Sequence, residues 1–379
     1  MKIGIITIHK SEVNYGASLQ CYALWRYVTN LGYDCEVIDL LRPCHKQYVP
    51  GAEEVVRLKT KPNFFKAILS NLRNYSINQS KKKKIHNFSV FNNKIRYSHQ
   101  YKSVASIYDN PPDYDAYISG SDQVWNPQMP FENEPYLLGF VKNGGRKIAY
   151  ASSFGVSEIG HSNYARYSEL LSAYNAISVR EDSGARIVDD IIHIKPQVVL
   201  DPVFLLTADE WRKESAETSI VPNKPFVLVY LLSYNKYAIS HAINVAQEHN
   251  LDIYVVTADN KALSEKYITQ IFDAGPSEWL WLIDNATYVL TNSFHGTSFS
   301  ILMGKSFAVY QQEGVSANTR VSSILRQFKL ENHIVSYSDK GITKTPVFSY
   351  DLLQKEEILK AARKESINYL IEAISNDKN

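Results

Sequence analysis

The chain has 379 residues, 45% hydrophobic and 21% charged, with a formal net charge of +2; this is an ordinary soluble globular composition, long enough for about two domains of roughly 100–200 residues each. Its three cysteines, Cys21, Cys35 and Cys44, make neither a disulfide framework nor a metal motif, and their scarcity fits a reducing cytoplasm. No apolar run approaches the roughly 20 residues that span a bilayer, and the opening MKIGIITIHK reads as a strand instead of a signal peptide.

In chain order, residues 3–8 (IGIITI) predict a buried strand. A helix follows, with Ala17, Cys21, Leu24, Val28 and Leu31 on one stripe, stopped by Gly32, and then a strand over 35–40. This β-α-β opening starts a parallel sheet. Residues 51–102 interrupt the rhythm and read as a helical insertion carrying twelve Lys/Arg against Glu53 and Glu54. At its centre Lys81–Lys84 make either a solvated surface or a patch facing anionic lipid or a diphosphate-bearing acceptor. Without interleaved aromatics the charge does not make a nucleic-acid site.

Strands are then expected over 115–122, 146–155, 176–182 and 197–206, each ending in Gly, Ser, Asp or Arg. Polar residues 207–224 predict a linker. A second β/α series follows, with strands at 226–232, 253–257, 287–292 and 306–310 and helices at 236–249, 277–286 and from His295 onward. Residues 351–376 predict a long terminal helix. The expected organisation is an amino-terminal β/α domain over 1–206, the linker, a carboxy-terminal β/α domain over 225–345 and the helical tail 346–379. The fold class is α/β, two Rossmann-like domains facing a cleft. Ligands in such sheets sit beyond the carboxyl ends of the strands, where the polar clusters fall.

Five clusters carry chemistry. In NYGASLQ (14–20), Gly16 precedes a helix whose N–H groups favour an anion; a plain βα turn is the alternative, and the pattern is not a dinucleotide GxGxxG. In GSDQVWNP (120–127), Asp122, Gln123 and Asn126 suit sugar hydroxyls and Trp125 a pyranose face, unless the segment is a capped turn over a packed tryptophan. Arg180, at a strand end in SVREDSG, is placed to clamp a carboxylate or phosphate, or to pair with a neighbouring acid. In TNSFHGTSFS (291–300), His295 stands at a helix start, where the positive end of the dipole favours the neutral ring, a proton acceptor. Ser293, Thr297 and Ser298 add donors and Gly296 admits close approach of a ligand. A capping histidine is the structural alternative. In GVSANTR (314–320), Asn318 is a candidate cap, with Arg320 on the first turn as a second anion contact or a surface residue. DYD (113–115) precedes a strand, so it does not read as a metal motif, and no other metal pattern is present.

Together NYGASLQCYAL, YISGSDQVWN, AYASSFG, SVREDSG, VVLDPVFLL and TNSFHGTSFSILMGKSF resemble the polysaccharide pyruvyl transferase family, in its order, from residue 14 to about 325. The resemblance implies a fold like the glycosyltransferase B architecture, transfer of the pyruvyl group of phosphoenolpyruvate to a hexose of a cell-surface polysaccharide precursor, often lipid-linked, and no cofactor beyond the donor. It implies His295 as general acid or base, Arg180 and Arg320 with Ser293, Gly296 and Thr297 around the donor, and Asn14, Tyr15, Asp122, Gln123 and Trp125 around the acceptor. A cytoplasmic location, peripheral to the membrane through Lys81–Lys84, is the matching expectation. Many family members carry Arg two residues before the histidine, where this chain has Ser293. A nucleotide-sugar glycosyltransferase of the same fold is the rival enzyme; a non-catalytic sugar-binding protein is the rival from another class.

Overall fold

The computed structural model describes the chain except residues 11–12, 46, 51–74, 143, 258–266, 313–318, 339–340, 343–346 and 376–379; Asn318 and the first half of the basic insertion lie outside the described residues. The amino-terminal sheet holds β1 (Lys2–Ile6), β2 (Asp34–Leu40), β3 (Tyr97–Tyr101), β4 (Ala116–Ser119), β5 (Arg146–Ser152), β6 (Ala176–Val179) and β7 (Gln197–Val198), in the order β3-β2-β1-β4-β5-β6-β7. All its pairings are parallel. Around it lie α1 (Tyr15–Asn30), α2 (Tyr75–Asn92), α3 (Val104–Asp109), α4 (Tyr164–Ser172) and α5 (Asp182–Ile192). The second sheet repeats the plan with β8 (Phe226–Leu231), β9 (Asp252–Thr257), β10 (Ile268–Gln270), β11 (Tyr288–Thr291), β12 (Ser306–Gln312), β13 (Ile334–Ser338) and β14 (Gly341–Ile342), ordered β10-β9-β8-β11-β12-β13-β14. Among the described residues only the short β13–β14 pairing is antiparallel. Two Rossmann-like β/α domains therefore face each other across a cleft, the layout of the glycosyltransferase B architecture.

Strands buried on both faces show in sequence as unbroken apolar runs; β8, FVLVYL, is buried at all six positions. Residues 197–206 depart from the expected strand. Only Gln197–Val198 pair in the sheet, and Pro202–Leu205 form a buried 3-10 turn. Pro202 has no N–H to give a ladder, and the Asp201 side chain accepts the Val203 N–H at 3.1 Å, capping the turn.

Between the sheets, α6 (Ala208–Glu214) starts in a Thr207–Glu210 capping box. It drives Trp211, fully buried, between Tyr22 and Phe299, with ring centroids 5.8 and 5.2 Å away. In the second domain α8 (Pro276–Asn285) packs against α1 and α2, α9 (Phe294–Leu302) and α10 (Thr319–Gln327) line the cleft, and α7 (Lys236–His249) flanks the sheet. The last helix, α11 (Leu352–Ser375), crosses back to the first domain. There Arg146 Nε donates to the Ala373 carbonyl at 2.6 Å and Tyr369 Oη to that of Ala149 at 2.9 Å.

The lysine run does not present one charged face. It lies on α2; Lys82 and Lys83 are exposed, Lys83 pairs with Asp273 at 3.0 Å, and Lys84 is buried with its Nζ 5.0 Å from the Tyr15 ring centroid. Four consecutive residues spread over about 300° around a helix, so one of them must face the body of the protein. Burial brings the Lys84 pKa down to about 8. Because the unfolded chain holds the proton more tightly, stability should rise with pH between that value and the ordinary lysine range. Lys84→Met should stabilise the protein at pH 7 by about 3 kcal/mol and abolish that rise. Urea unfolding across pH 7–10 checks this; a destabilised Lys84→Met at pH 7 would contradict it.

Candidate active site

The cleft narrows to a cavity of about 290 Å³ where the carboxyl ends of the two sheets meet. The first domain contributes Asn14, Gly16, Asp122 and Gln123. The second contributes Ser293, Phe294, His295, Gln311, Arg320 and an aromatic wall that includes Tyr230, Tyr310 and Tyr337.

His295 is set by α9. This helix is buried at every residue, a costly place for hydroxyls unless they are bonded. Thr297, Ser298 and Ser300 each donate to the carbonyl four residues back, at 2.9, 3.0 and 2.8 Å, and Ser293 caps the start by accepting the Gly296 N–H at 3.3 Å. The hydroxyls of this motif thus hold the helix, and the ring is left as its chemical group. His295 reaches across to α1. A Cβ built on Gly16 would lie 2.0 Å from His295 Nδ1, so glycine is required there for close approach. The other ring nitrogen, Nε2, has no hydrogen-bond partner among the described residues and stands 3.7 Å from Asp201.

Behind His295, Arg180 and Asp201 form the buried centre of the site. Arg180 NH1 donates to Asp201 Oδ2 at 2.7 Å and to Ser121 Oγ at 3.3 Å; Ser121 Oγ also donates to Asp201 Oδ2 at 2.9 Å. The guanidinium lies 4.3 Å from the Phe294 ring centroid, 3.7 Å from Glu181 and 3.8 Å from Asp122. Its Nε and NH2 make no hydrogen bond among the described residues. Burial opposes its charge, but Asp201, Glu181 and Asp122 outweigh it and raise the Arg180 pKa. Burial likewise opposes the Asp201 carboxylate; His295 and Arg180 outweigh it and hold the group well below the usual carboxylate range. The Asp122 backbone is left-handed, φ +72°, an uncommon conformation for a residue with a side chain; it occurs here at the strand end facing the cavity.

Arg320, on the first turn of α10, lines the cavity from the opposite domain. It makes no hydrogen bond or ion pair with a described residue, and its Nε is buried. Burial and then the charge of Arg180 push its pKa down, with Asp122, Glu181 and Asp201 pulling the other way. A desolvated guanidinium without a partner is costly and marks a place for an anion. Gln311, at the end of β12, adds to the same cavity a buried Nε2 with no hydrogen-bond partner among the described residues.

Of the residues singled out in the sequence, Asn14, Asp122, Gln123, Ser293, His295 and Arg320 line the cavity and Arg180 lies directly behind it. Trp125 is placed in the core: fully buried, its Nε1 3.1 Å from Ser119 Oγ and 3.2 Å from the Tyr136 carbonyl, so its face is covered by protein and not open to a sugar. Tyr15 is buried too, stacked on Trp279 with centroids 5.4 Å apart and its hydroxyl on the Ala274 carbonyl; it joins the domains. Thr297 is inside its helix. Gly296 makes room for Thr291, whose Oγ1 a Cβ would meet at 2.4 Å, instead of for a ligand. Sequence reasoning missed Asp201, Gln311 and the tyrosines Tyr230, Tyr310 and Tyr337. A carboxylate before proline inside an apolar run was the available signal for Asp201. Among the described residues no cluster of His, Cys, Asp and Glu is arranged to hold a metal, and no helix is long and apolar enough to cross a membrane.

Comparison with curated protein sequences gives no match. Among solved structures, the chain is similar to UDP-GlcNAc 2-epimerase from Neisseria meningitidis bound to UDP-GlcNAc (TM-score 0.48, 12% identity, covering 100% of this chain and 95% of that one). It is also similar to the Rickettsia bellii UDP-N-acetylglucosamine 2-epimerase (TM-score 0.49, 10% identity, 98% and 96% covered) and to the wall teichoic acid polymerase TagF (TM-score 0.42, 10% identity, 100% and 84% covered). The family model described as polysaccharide pyruvyl transferase matches residues 14–311, which hold all but Arg320 and Tyr337 of the site residues named above. The chain belongs to the polysaccharide pyruvyl transferase family.

Proposed function

We propose that the cleft transfers the pyruvyl group of phosphoenolpyruvate to two hydroxyls of a hexose, in a precursor of a cell-surface polysaccharide, forming a pyruvate ketal. The observation that carries this reading is the pair of arginines from opposite domains, Arg180 and Arg320, each with N–H groups that make no hydrogen bond among the described residues, Arg320 being the one without an ion-pair partner there. The donor bears a phosphate and a carboxylate, and two guanidiniums suit two anionic groups. With Ser293 committed to capping α9, Arg320 serves as the second cation.

In the reaction the methylene carbon gains a proton and becomes a methyl group. One sugar oxygen bonds to the adjacent carbon, the bond from that carbon to the phosphate oxygen breaks, and the second hydroxyl closes the ketal. Of the two hydroxyl protons, one balances the new methyl group and the other leaves with phosphate. His295 moves a proton with its ring; Asp201 holds the ring's charge and Arg180 together; Arg320, Arg180 and Gln311 stabilise the departing phosphate. Asn14, Asp122 and Gln123 orient the acceptor, and the second domain's tyrosine wall takes the stacking role that buried Trp125 leaves open. The donor is the only small molecule required besides the acceptor. The setting is the cytoplasm at the inner face of the membrane, where a lipid-linked acceptor is presented.

Phosphate release from phosphoenolpyruvate, with a panel of hexose glycosides and lipid-linked hexoses, tests the proposal. Release should depend on acceptor and fall in folded Arg320→Gln by about 10²–10³-fold. Turnover of a nucleotide sugar with no use of phosphoenolpyruvate would move the chain to the glycosyltransferase reading.

A further inference from the structure

A second unbalanced arginine lies in the first domain, outside the cavity. Arg42 follows β2 and is 7% exposed. Its NH2 donates to the His9 carbonyl at 2.9 Å, a neutral group; its Nε is buried without a partner, and no carboxylate among the described residues pairs with it. Asp39, the nearby acid, is already engaged by His9 at 3.1 Å, Lys10 at 2.7 Å and Gln100 at 3.2 Å. Lys10 sits in a left-handed conformation, φ +46°, which swings its Nζ onto Asp39 and the Tyr97 ring, 3.8 Å from the centroid. His45 ties the loops after β1 and β2 together: Nδ1 accepts the Arg42 N–H at 3.0 Å and Nε2 contacts the Lys10 carbonyl at 3.1 Å. This sets one cation without a carboxylate partner, Arg42, near the Lys10–Asp39 ion pair at the carboxyl ends of β1 and β2, the strands whose ends lie beside Asn14 and Gly16. A guanidinium buried to this degree without a counter-ion calls for an anion.

We infer that Arg42 and Lys10 form a second anion site, for a phosphate or diphosphate ester carried by the acceptor sugar. The inference rests on the proposed pyruvyl transfer for the acceptor's identity, but not for the site itself. Phosphate held there, in the acceptor's domain and away from Arg320, distinguishes it from the donor subsite. Both a soluble sugar phosphate and a lipid-linked sugar diphosphate supply this chemistry.

Cys44 gives a built-in reporter. It is the exposed cysteine of the three, Cys21 and Cys35 being buried. Burial pulls its pKa up, but the contact with His45 and the charge of Arg42 outweigh it and leave the thiol more acidic than usual, so it should alkylate readily. Inorganic pyrophosphate should slow alkylation of Cys44 in the wild type. Removing the charged contacts in Arg42→Gln should shift the pyrophosphate concentration required upward by about 10- to 100-fold, and Lys10→Met should shift it in the same direction. Arg320→Gln should leave the protection intact. Unchanged protection in folded Arg42→Gln, or none in the wild type, would overturn the inference. Since the readout needs no catalysis, it stands or falls separately from donor use. Binding to vesicles containing a polyprenyl diphosphate, weakened by Arg42→Gln, would assign the lipid-linked source. Protection by pyrophosphate without such binding would assign the soluble one.

Discussion

Asp201→Asn should cost about 3–5 kcal/mol of stability, the usual consequence of removing one member of a buried ion pair, and should abolish nearly all transfer. Asp201 is fully buried and accepts from Arg180, Ser121 and the Val203 amide. Asparagine keeps the shape and the bond from Val203, but it leaves Arg180 without its closest negative charge and His295 without the carboxylate 3.7 Å away. The pH dependence has a definite sign. A carboxyl group held below its unfolded value contributes stability that is present above about pH 4 and is lost as pH falls through the folded value. The wild type should therefore show a steep acid limb that is shallower in Asp201→Asn. Urea unfolding at pH 7 and between pH 5 and 2 checks both statements. A variant as stable as the wild type at pH 7 would mean that Arg180 is neutralised elsewhere.

Gly16→Ala should lower activity by about 10²-fold, the scale of an ångström-size misplacement of a catalytic group. Two effects on stability compete. Alanine is favoured over glycine inside a helix by about 1 kcal/mol, and Gly16 lies in the first turn of α1. Against that, the new methyl would sit 2.0 Å from His295 Nδ1, and overpacking typically costs about 1–3 kcal/mol. The contact is across domains, so the cleft can relieve the clash by opening slightly or by turning the ring, and either moves Nε2 away from Asp201. Net stability should change by no more than about 2 kcal/mol while kcat falls. Circular dichroism melting beside initial rates separates the two. An active, stabilised Gly16→Ala would show that His295 does not work in the orientation described.

Much of the architecture was legible because parallel strands covered on both faces appear as uninterrupted apolar runs, as in IGIITI and FVLVYLL, with polar clusters marking their carboxyl ends. Strands without such runs were hidden: β3 is YSHQY, half-exposed and within a segment dominated by its lysines. The site was legible at Arg180, Asp122, His295 and Arg320, since charged groups just past apolar strands have few structural uses that need their exact chemistry. Asp201 escaped because its apolar neighbours suggested a continuing strand, and only the turn at Pro202 places its carboxylate under Arg180. Trp125 and Tyr15 have the side chains that sugar sites employ, yet each is covered by other parts of the chain, and the Thr297 hydroxyl is taken up by the Ser293 carbonyl of its own helix. Lys84 shows the same limit in reverse: four lysines in a row look solvated until α2 is laid on α1.

The most direct test uses phosphoenolpyruvate isotopically labelled at the enol carbon, with a hexose-bearing acceptor, wild-type protein and folded His295→Ala. With the wild type, nuclear magnetic resonance of the purified acceptor should find the label as a ketal carbon bonded through two oxygens to the sugar and carrying a methyl group, together with an equal amount of free phosphate. His295→Ala should give neither. Labelled ketal formed at the wild-type rate by His295→Ala would contradict the role of the ring. Phosphoenolpyruvate left intact beside an acceptor that the same protein glycosylates from a nucleotide sugar would contradict pyruvyl transfer itself.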